Sequence, residues 1–449
     1  MTRERPILVS APVGASAPVG ANPIVADRRH SGSNRLIAIL ALVVLAIIAM
    51  RIDLPGNVTV AALVSALMIP LWWGALKQYR WAPILLAFGA VALLSGIWLT
   101  ELTRSTTGSV SFSLMISISV LVGGALCSVG VVLWSRQFLT DGQVALAYGV
   151  GMLLGVSPDS PLFAENPWKF GFAVPTTVIL LALAQTIGRR VLEAVVVLGL
   201  VVASAFTDAR SSFAILMLTG LLVFWQMRPR RASRRASALR VVAGLAALGF
   251  IVYTFAQSLI LEGALGEETQ QRSIEQIDAS GSLLLGGRPE LGATVALLRE
   301  QPWGYGAGAL PTFADVIAAK TGMAAIGYEP DNNYVEIYMF GDRFELHSLF
   351  GDFWAFFGIP GIALIVVIAV LLVRGLSVRV ANNVASAVFI YVAVRTLWNV
   401  PFGPVYSSIP LFILALGLAL LRVDDRRLPG PSGGRMPAGA VTTRSRRLG

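Results

Sequence analysis

Apolar runs of roughly 17–25 residues recur along the whole chain, and they constrain its fold more than any other feature. Each run is long enough to cross about 30 Å of hydrocarbon as an α-helix. Of the 449 residues, 55% are hydrophobic and only 13% are charged. A soluble domain carries about 25% charged residues, so this composition excludes an ordinary soluble enzyme. The sequence therefore predicts an all-α fold, a polytopic membrane helix bundle.

We predict about twelve transmembrane helices and one large extracytoplasmic loop domain. The predicted helices cover residues 36–50, 57–75, 81–100, 111–134, 142–156, 170–187, 191–206, 211–227, 241–262, 346–373, 384–400 and 405–421. Both tails have compositions typical of disordered segments. The predicted domains are a disordered tail at 1–34, transmembrane helices one to nine at 35–262, the loop domain at 263–345, helices ten to twelve at 346–422, and a disordered tail at 423–449.

The short loops differ in their content of lysine and arginine, which sets the orientation of a membrane protein. The loops of one side carry Lys77, Arg80, Arg136, Arg189, Arg190, Arg374, Arg379 and the arginine run within 228–240. The short loops of the other side carry only Arg51, Arg104, Lys169 and Arg210. Because basic loops stay inside, we predict that the first side and both termini are cytoplasmic and that the loop domain faces outward.

Several classes of site are excluded by the residues present. The net charge of +10 comes from arginines beside hydrophobic segments, where topology and anionic lipid explain them better than nucleic acid. The single cysteine, Cys127, can form no internal disulfide. The sequence has no His-Glu-x-x-His or cysteine-rich pattern, and its outward loops contain no Asp-x-Asp motif. We therefore predict no metal, no cofactor and no nucleic-acid partner.

The only long polar interval, residues 262–346, contains the predicted start of a short helix. Pro289 stands where a helix can begin. Leu291, Val295 and Leu298 then fall on one face of an amphipathic helix. We expect this face to be the buried one.

A glycine-rich run follows this helix. Pro302 disfavours a helical residue before it and so ends the helix. Gly304, Gly306 and Gly308 allow tight turns and a close approach of the backbone to a ligand. The run does not follow a strand of a nucleotide-binding unit, so it predicts no dinucleotide site. A further helix is predicted at residues 312–320.

Three basic side chains stand where the predicted outer loops meet the helices. His347 is either an interfacial residue satisfied by a backbone carbonyl, or a base or proton donor. Arg210 lies in a tight outer turn, where it can pair with Asp208. An outward arginine breaks the charge rule, however, so it can equally bind an anion. Arg288 follows a Gly-Gly turn and precedes a helix, so it is either a solvated loop residue or a positioned one. Arg299, one helix face away, is our second candidate for a positioned arginine in this loop.

Arg395 is the clearest charge within a predicted transmembrane helix. An unpaired charge there would be costly, so it needs a partner. Asp352 lies at a comparable depth, and we expect the two to form a structural ion pair in preference to contacting a ligand. Both residues, together with Arg299, Trp303 and Gly306, are our candidates for substrate binding.

The whole pattern resembles the O-antigen ligase and O-antigen polymerase superfamily. The shared features are the helices with both ends inside, the large outer loop between the ninth and tenth helices, an arginine after the seventh helix, and an ordered set of motifs. In this sequence the motifs are Arg288, Pro302-Trp-Gly-Tyr-Gly306, His347-Ser-Leu349 and Gly358-Ile-Pro-Gly361. Gly292 stands where an aromatic residue often follows the loop arginine, and Ser348 replaces a frequent asparagine.

The resemblance implies a glycosyltransferase of cell-envelope polysaccharide or lipopolysaccharide biosynthesis in the bacterial inner membrane. Family members transfer a glycan from a polyprenyl (undecaprenyl) diphosphate to an acceptor hydroxyl on the outer face, without a metal. The implied partners are the lipid-linked glycan donor, a glycan or lipid-glycan acceptor, and membrane lipid. Arg210 and Arg288 are expected to bind the leaving diphosphate, and His347 to orient or deprotonate the acceptor hydroxyl.

Two other functions fit parts of the pattern. A transporter or flippase of a lipid-linked or anionic substrate needs polar residues along a path through the membrane, and apart from Arg395 and Asp352 the helices offer few. A noncatalytic scaffold predicts that removing charges at the loop mouth has no effect. Within the superfamily, ligase and polymerase differ in the acceptor, and the sequence leaves both open.

Overall fold

The computed structural model describes residues 23–55, 58–106, 108–159, 161–207, 210–228, 238–263 and 266–423. These residues are mostly helical, which confirms the predicted fold class at that level. A short antiparallel hairpin is formed by Asp53–Leu54 (β1) and Val58–Thr59 (β2).

The helices follow one another with short connections. The first group is Pro23–Ala49 (α1), Val60–Leu67 (α2), Ile69–Leu76 (α3), Ala82–Thr106 (α4), Phe112–Ser135 (α5) and Asp141–Leu154 (α6). The second group is Pro161–Glu165 (α7), Ala173–Ile187 (α8), Arg190–Ala205 (α9), Arg210–Gln226 (α10) and Ala238–Leu261 (α11). The polar interval contains Glu267–Ser280 (α12), Leu283–Gly286 (α13), Glu290–Glu300 (α14) and Phe313–Ala324 (α15). The last group is Leu349–Ala381 (α16), Ala387–Phe402 (α17) and Val405–Ala419 (α18). Two π-helical turns lie at Trp168–Phe172 and Val335–Met339.

Within the described residues, four helical stretches are long and apolar enough to cross a membrane. They are Ala82–Thr106, Phe112–Ser135, Trp168–Ile187 and Leu349–Ala381. Shorter apolar helices accompany them at Arg35–Ala49, Arg210–Gln226, Ala246–Leu261, Ala387–Phe402 and Val405–Ala419. Twelve crossings and a separate loop domain stay predictions.

The two ends of α5 contact different parts of the chain. Before its first turn, the Ser111 N–H donates to the Gly308 carbonyl (2.8 Å). After its last turn, Arg136 donates to Asp141 (2.9 Å), which also accepts from Arg379 (2.9 Å). Because α5 has 24 residues, these two points are separated by about 36 Å of helix. Two basic residues of the predicted cytoplasmic side thus meet at one end of α5, and the glycine-rich run lies at the other.

The glycine-rich run is held between helices by its own backbone. The N–H groups of Tyr305 and Gly306 both donate to the Ala355 carbonyl of α16 (2.9 Å each). The Gly308 N–H donates to the Thr100 hydroxyl of α4 (2.9 Å). Non-helical backbone among apolar helices must have such partners, because unpaired polar groups there are costly. The close approach that we expected to serve a ligand therefore serves packing against α4 and α16.

Two motif glycines form a single packing contact. Gly304 has φ +86° and Gly358 has φ +62°, a region that residues with a side chain rarely adopt. A Cβ added to Gly304 would lie 2.4 Å from the Trp354 carbonyl oxygen, and one added to Gly358 would lie 2.2 Å from the Trp303 carbonyl oxygen. Gly358 also interrupts the helical geometry of α16. The Pro-Trp-Gly-Tyr-Gly and Gly-Ile-Pro-Gly motifs are thus two halves of one contact.

The α14 helix begins after Pro289, as predicted, but its buried face differs from the predicted one. Ala293 and Leu297 are fully buried, whereas Val295 is 50% exposed. Leu291 and Leu298 are only partly buried. The predicted face of Leu291, Val295 and Leu298 is therefore wrong.

Small residues at the α14–α15 contact explain this difference. A Cβ added to Gly292 would lie 2.3 Å from the Gly322 carbonyl oxygen of α15, so the two helices approach more closely than bulky side chains would allow. The predicted second helix, 312–320, is confirmed in type and extends to Ala324. Thr312 and Asp315 form a reciprocal capping box at its start.

The first helix begins earlier than the apolar pattern suggested. α1 starts at Pro23, inside the tail 1–34 that we predicted to be disordered. The rest of that tail and residues 424–449 lie outside the described residues.

Replacing Gly358 with alanine should destabilise the protein, because the added Cβ meets backbone and the residue needs positive φ. Overpacking costs about 1–3 kcal/mol. The backbone conformation of Gly358 (φ +62°, ψ −146°), which essentially only glycine adopts, adds about 1–3 kcal/mol for alanine. The apparent melting temperature of the purified protein in detergent measures this loss.

Gly199→Ala is the matched control. Gly199 lies within α9, and a Cβ added there meets nothing within 4 Å. Alanine at this position should be neutral or stabilising by about 0.5–1 kcal/mol. Equal melting temperatures for the two variants would contradict the packing contact between Gly304 and Gly358.

Candidate active site

One cavity of about 1570 Å³ brings together the four basic residues on which the sequence analysis concentrated. Arg210, Arg288, Arg395 and His347 all line it. They come from the start of α10, the segment before α14, the middle of α17 and the segment before α16. A drug-sized ligand usually occupies about 300–1000 Å³, so this cavity has room for a larger one.

The same cavity continues between apolar helices. Leu218 and Leu222 of α10, Val252 of α11 and Leu376 of α16 are part of its lining. Leu222 lies about 18 Å along the helix from Arg210. The cavity therefore joins a charged region to an apolar one, which suits a ligand with a charged head and a hydrocarbon chain.

Arg210 is the first residue of α10, and the polar helix α12 contacts its side chain. Its Nη1 donates to the Ser273 hydroxyl (2.8 Å) and to the Gln276 side-chain oxygen (3.4 Å). A cation at a helix N-terminus opposes the helix dipole by about 0.3–1 kcal/mol. The same N-terminus favours a bound anion. The predicted partner Asp208 lies outside the described residues.

Arg395 is not paired with Asp352, so the predicted ion pair is wrong. Its Nη1 donates to the Ser212 hydroxyl on α10 (2.9 Å), and its side chain lines the cavity. Asp352 is fully buried and accepts the backbone N–H groups of Leu346 (2.7 Å) and Val405 (2.8 Å). The carboxylate therefore satisfies backbone donors, and the guanidinium is directed to the cavity.

Arg288 is supported by an aromatic ring. Its guanidinium carbon lies 5.7 Å from the centroid of the Phe402 ring at the end of α17. This distance is within the range of a cation–π contact, which is worth about 0.5–1 kcal/mol at an exposed site. The contact fixes the side chain while leaving its N–H donors available to a planar anionic group.

His347 has an unusual backbone conformation that sets the direction of its ring. Its φ is +53°, in the left-handed region. Its Nδ1 lies 3.1 Å from the Glu345 carbonyl oxygen. A carbonyl can only accept, so Nδ1 carries the hydrogen and Nε2 is the nitrogen free to accept a proton.

A partly buried pair of polar side chains lies beside these residues. The Tyr334 hydroxyl donates to Glu290 Oε1 (2.5 Å), and the Tyr334 ring centroid is 6.1 Å from that of His347. Burial raises the pKa of Tyr334 well above its ordinary value, and the Glu290 carboxylate adds to this. Glu290 is 7% exposed, and its Oε2 has no hydrogen-bond partner among the described residues.

The remaining predicted substrate-binding residues lie outside the cavity lining. Arg299 is exposed at the end of α14, and the Trp303 side chain is 63% exposed. A Cβ added to Gly306 would lie 2.3 Å from the backbone nitrogen of Thr100, so this glycine packs against α4. Asp352 is enclosed by protein. Of the five predicted substrate-binding residues, only Arg395 reaches the cavity.

The sequence analysis missed several polar residues of the lining, among them Arg51, Lys169, Gln276 and Glu345. Arg51 donates to the Tyr406 carbonyl. A signal was present, because Arg51 and Lys169 are two of the few basic residues in the predicted outer loops. In the sequence analysis these two residues served only to assign the orientation. They break the charge rule in the same way as Arg210, so the same argument predicts that they bind an anion.

The charge of the lining is strongly unbalanced. Five cations, Arg51, Lys169, Arg210, Arg288 and Arg395, share the cavity with two carboxylates, Asp53 and Glu345. A cavity lined mainly by one sign of charge concentrates the opposite ion. No group of three His, Cys, Asp or Glu side chains in the described part of the chain is placed to hold a metal ion. The arrangement therefore favours an anion bound by guanidinium groups.

The O-antigen ligase family model matches residues 194–366. The resemblance inferred from the motifs is thereby confirmed. The region matching the O-antigen ligase model includes Arg210, Arg288 and His347, and it ends within α16 before Arg395. Together with the apolar helices, the O-antigen ligase match indicates a multi-pass bacterial membrane protein. No curated protein matches the chain.

Tyr334→Phe should destabilise the protein by about 1–3 kcal/mol, because it leaves a buried carboxylate without its hydroxyl donor. Thermal unfolding of the purified protein measures the change. Tyr338→Phe is the control, since that side chain is 57% exposed and should change stability by less than about 0.5 kcal/mol. If both substitutions lower the melting temperature equally, the Tyr334–Glu290 contact is not the cause.

Proposed function

We propose that the protein is a membrane glycosyltransferase of the O-antigen ligase or surface-polysaccharide polymerase type. It transfers a glycan from a polyprenyl (undecaprenyl) diphosphate donor to an acceptor hydroxyl on the outer face of the membrane, without a metal ion. The main observation behind this proposal is the shared cavity. Apolar side chains line one part of it, and the other part is lined by Arg210, Arg288, Arg395 and His347. The O-antigen ligase match supports the same class of reaction.

The cavity suits the donor in both of its parts. The diphosphate carries negative charge, and planar guanidinium groups bind phosphate oxygens in a bidentate manner. The apolar lining along α10 and α16 receives the first part of the polyprenyl chain. The donor is thereby held with its sugar–phosphate bond beside His347.

The proposed chemical step is a direct displacement. The acceptor oxygen forms a bond to the anomeric carbon of the donor sugar, and the bond from that carbon to the diphosphate oxygen breaks. The electron pair leaves with the diphosphate, where Arg210 and Arg288 stabilise the growing charge. The acceptor proton passes to His347, whose Nε2 is the free acceptor.

The orientation follows from the same proposal. The donor is used on the outer face of the bacterial inner membrane, so the cavity mouth and residues 266–346 face outward. The Arg136–Asp141–Arg379 cluster and both termini are then cytoplasmic, as the distribution of basic residues predicts.

Removing the basic groups of the cavity should block glycan assembly in cells. Arg210→Ala and Arg288→Ala should each lower the rate about 10²–10³-fold, as loss of a transition-state hydrogen-bond donor does. His347→Ala should lower it about 10²–10⁴-fold through loss of the base. The measurement is the lipid-linked glycan that accumulates in a deletion strain carrying each variant.

Arg104→Ala is the matched control, because Arg104 is exposed at the end of α4, outside the cavity lining, and pairs only with nearby Glu101 among the described residues. Normal glycan in all three cavity variants, at normal protein levels, would refute the assigned roles. The accumulating species also separates the two activities. Long unattached chains on the carrier indicate a ligase, and single repeat units indicate a polymerase.

Purified protein with donor and acceptor in detergent should form a glycosidic bond without added metal. Product formation, detected by mass spectrometry and unaffected by a chelator, is the expected result. The alternative, a transporter or flippase of a lipid-linked or anionic substrate, predicts no new bond in detergent. Movement of the donor across a vesicle membrane without product would favour that alternative.

A further inference from the structure

Asp352 is a buried carboxylate to which the proposed reaction gives no role. It lies in the first turn of α16, is fully buried, and is not part of the cavity lining. Its Oδ1 accepts the Leu346 N–H (2.7 Å) and its Oδ2 accepts the Val405 N–H (2.8 Å). The two donors are 59 residues apart in sequence. One side chain therefore joins two segments that carry parts of the site.

The first bond holds the segment that carries His347. Leu346 directly precedes His347, whose backbone is left-handed at φ +53°. On the other side, the Asp352 N–H donates to the Ser348 carbonyl (2.8 Å), and the Ser348 hydroxyl caps α16 by accepting the Gly351 N–H (2.9 Å). A non-glycine residue stays left-handed only where its surroundings hold it. Asp352 supplies that restraint from both its side chain and its backbone.

The second bond holds the segment that supports Arg288. Val405 is the first residue of α18 and follows the turn at Gly403–Pro404. Phe402, whose ring lies under the Arg288 guanidinium, ends α17 just before this turn. The next residue, Tyr406, accepts a hydrogen bond from Arg51 through its carbonyl. Moving the turn would therefore move the aromatic support of Arg288.

We propose that Asp352 is a positioning residue, which fixes the His347 imidazole and the ring beneath Arg288 relative to each other. This inference rests on the proposed function for its effect on catalysis, but the geometry that it describes can be measured without activity. Asp352 touches no substrate, because both of its oxygens are taken by backbone donors and its side chain is enclosed. A carboxylate suits this position because it is short and has two acceptors.

Asp352→Asn is the first test, because it keeps the shape and replaces one acceptor with an amide group that cannot accept an N–H. The chain has two histidines, His30 and His347, so His30→Ala leaves His347 as the only imidazole. With ¹³C-labelled histidine, the His30→Ala protein then gives one ring signal. We expect Asp352→Asn in this background to shift or broaden that signal. We also expect kcat to fall about 10–10²-fold with a smaller change in the donor KM, since a misplacement of about 1 Å can cost 10²-fold.

Val405→Pro separates the second bond from the first. Val405 is at the first position of α18, where proline is well tolerated. The substitution removes the N–H that donates to Asp352 Oδ2, and it replaces a fully buried valine side chain with a ring of similar size. We expect the donor KM to rise several-fold, because the Phe402 ring that supports Arg288 is displaced. We expect the His347 signal to stay close to that of the parent protein. This variant also keeps the proposal testable if Asp352→Asn does not fold.

Asp315→Asn is the matched structural control. Asp315 is also a largely buried carboxylate in the first turn of a helix, and its Oδ2 accepts the Thr312 N–H (2.7 Å) and hydroxyl (2.6 Å). This substitution should lower the melting temperature about as much as Asp352→Asn, while leaving kcat and the His347 signal unchanged.

Two results would overturn the proposal. An unchanged His347 signal and kcat in Asp352→Asn would do so, as would an equal loss of kcat in Asp315→Asn. The proposed function fails separately, if His347→Ala retains activity. In that case, a shifted His347 signal in Asp352→Asn would still support the positioning role of Asp352, and an unchanged signal would still refute it.

Discussion

Backbone N–H and C=O groups among apolar helices must find partners inside the protein, and this requirement determines how the cavity is built. The chain departs from helical geometry at the glycine-rich run before Gly308, at the segment before α16, and at the turn between α17 and α18. At each departure, backbone N–H groups lose the carbonyl acceptor that a helix would provide. Ala355 and Thr100 accept those of the glycine-rich run, and Asp352 accepts one from each of the other two segments. The irregular backbone that surrounds the site is thereby stable, because its polar groups are satisfied.

The arginines at the two ends of the helices have different partners. At one end, Asp141 accepts from both Arg136 and Arg379, so part of the positive charge is neutralised within the protein. At the cavity, Arg395 donates to a neutral hydroxyl, Ser212, and cations outnumber carboxylates in the lining. In the proposed reaction, a bound diphosphate relieves the Coulomb repulsion among these guanidinium groups. A difference of this kind is expected between a structural ion pair and a ligand site.

The sequence predicted those features that depend on local pattern. Apolar runs predicted a mostly helical chain, Pro289 predicted the start of α14, and Arg210 was recognised because an outward arginine contradicts the charge rule. Features that depend on the approach of distant segments were not predictable. The buried face of α14 follows from the contact of Gly292 with Gly322, and the motif glycines contact helix backbone. Arg395 and Asp352 have similar depth in the sequence pattern, but depth does not reveal that backbone donors compete for the carboxylate.

The conformation of His347, the base of the proposed reaction, explains how a buried carboxylate can hold a side chain in place. A left-handed residue with a side chain costs about 1–3 kcal/mol, and its backbone would otherwise relax. The bond that Asp352 accepts from Leu346 and the bond that its N–H donates to Ser348 hold the backbone on both sides of His347. At about 0.5–1.5 kcal/mol each, the two bonds together are comparable with that cost. The direction of the imidazole is thus set by a backbone held under strain, with Nδ1 fixed on the Glu345 carbonyl and Nε2 left for the acceptor. A flexible histidine on a relaxed loop would give the same chemistry, but it would spend little time in the geometry that proton transfer requires.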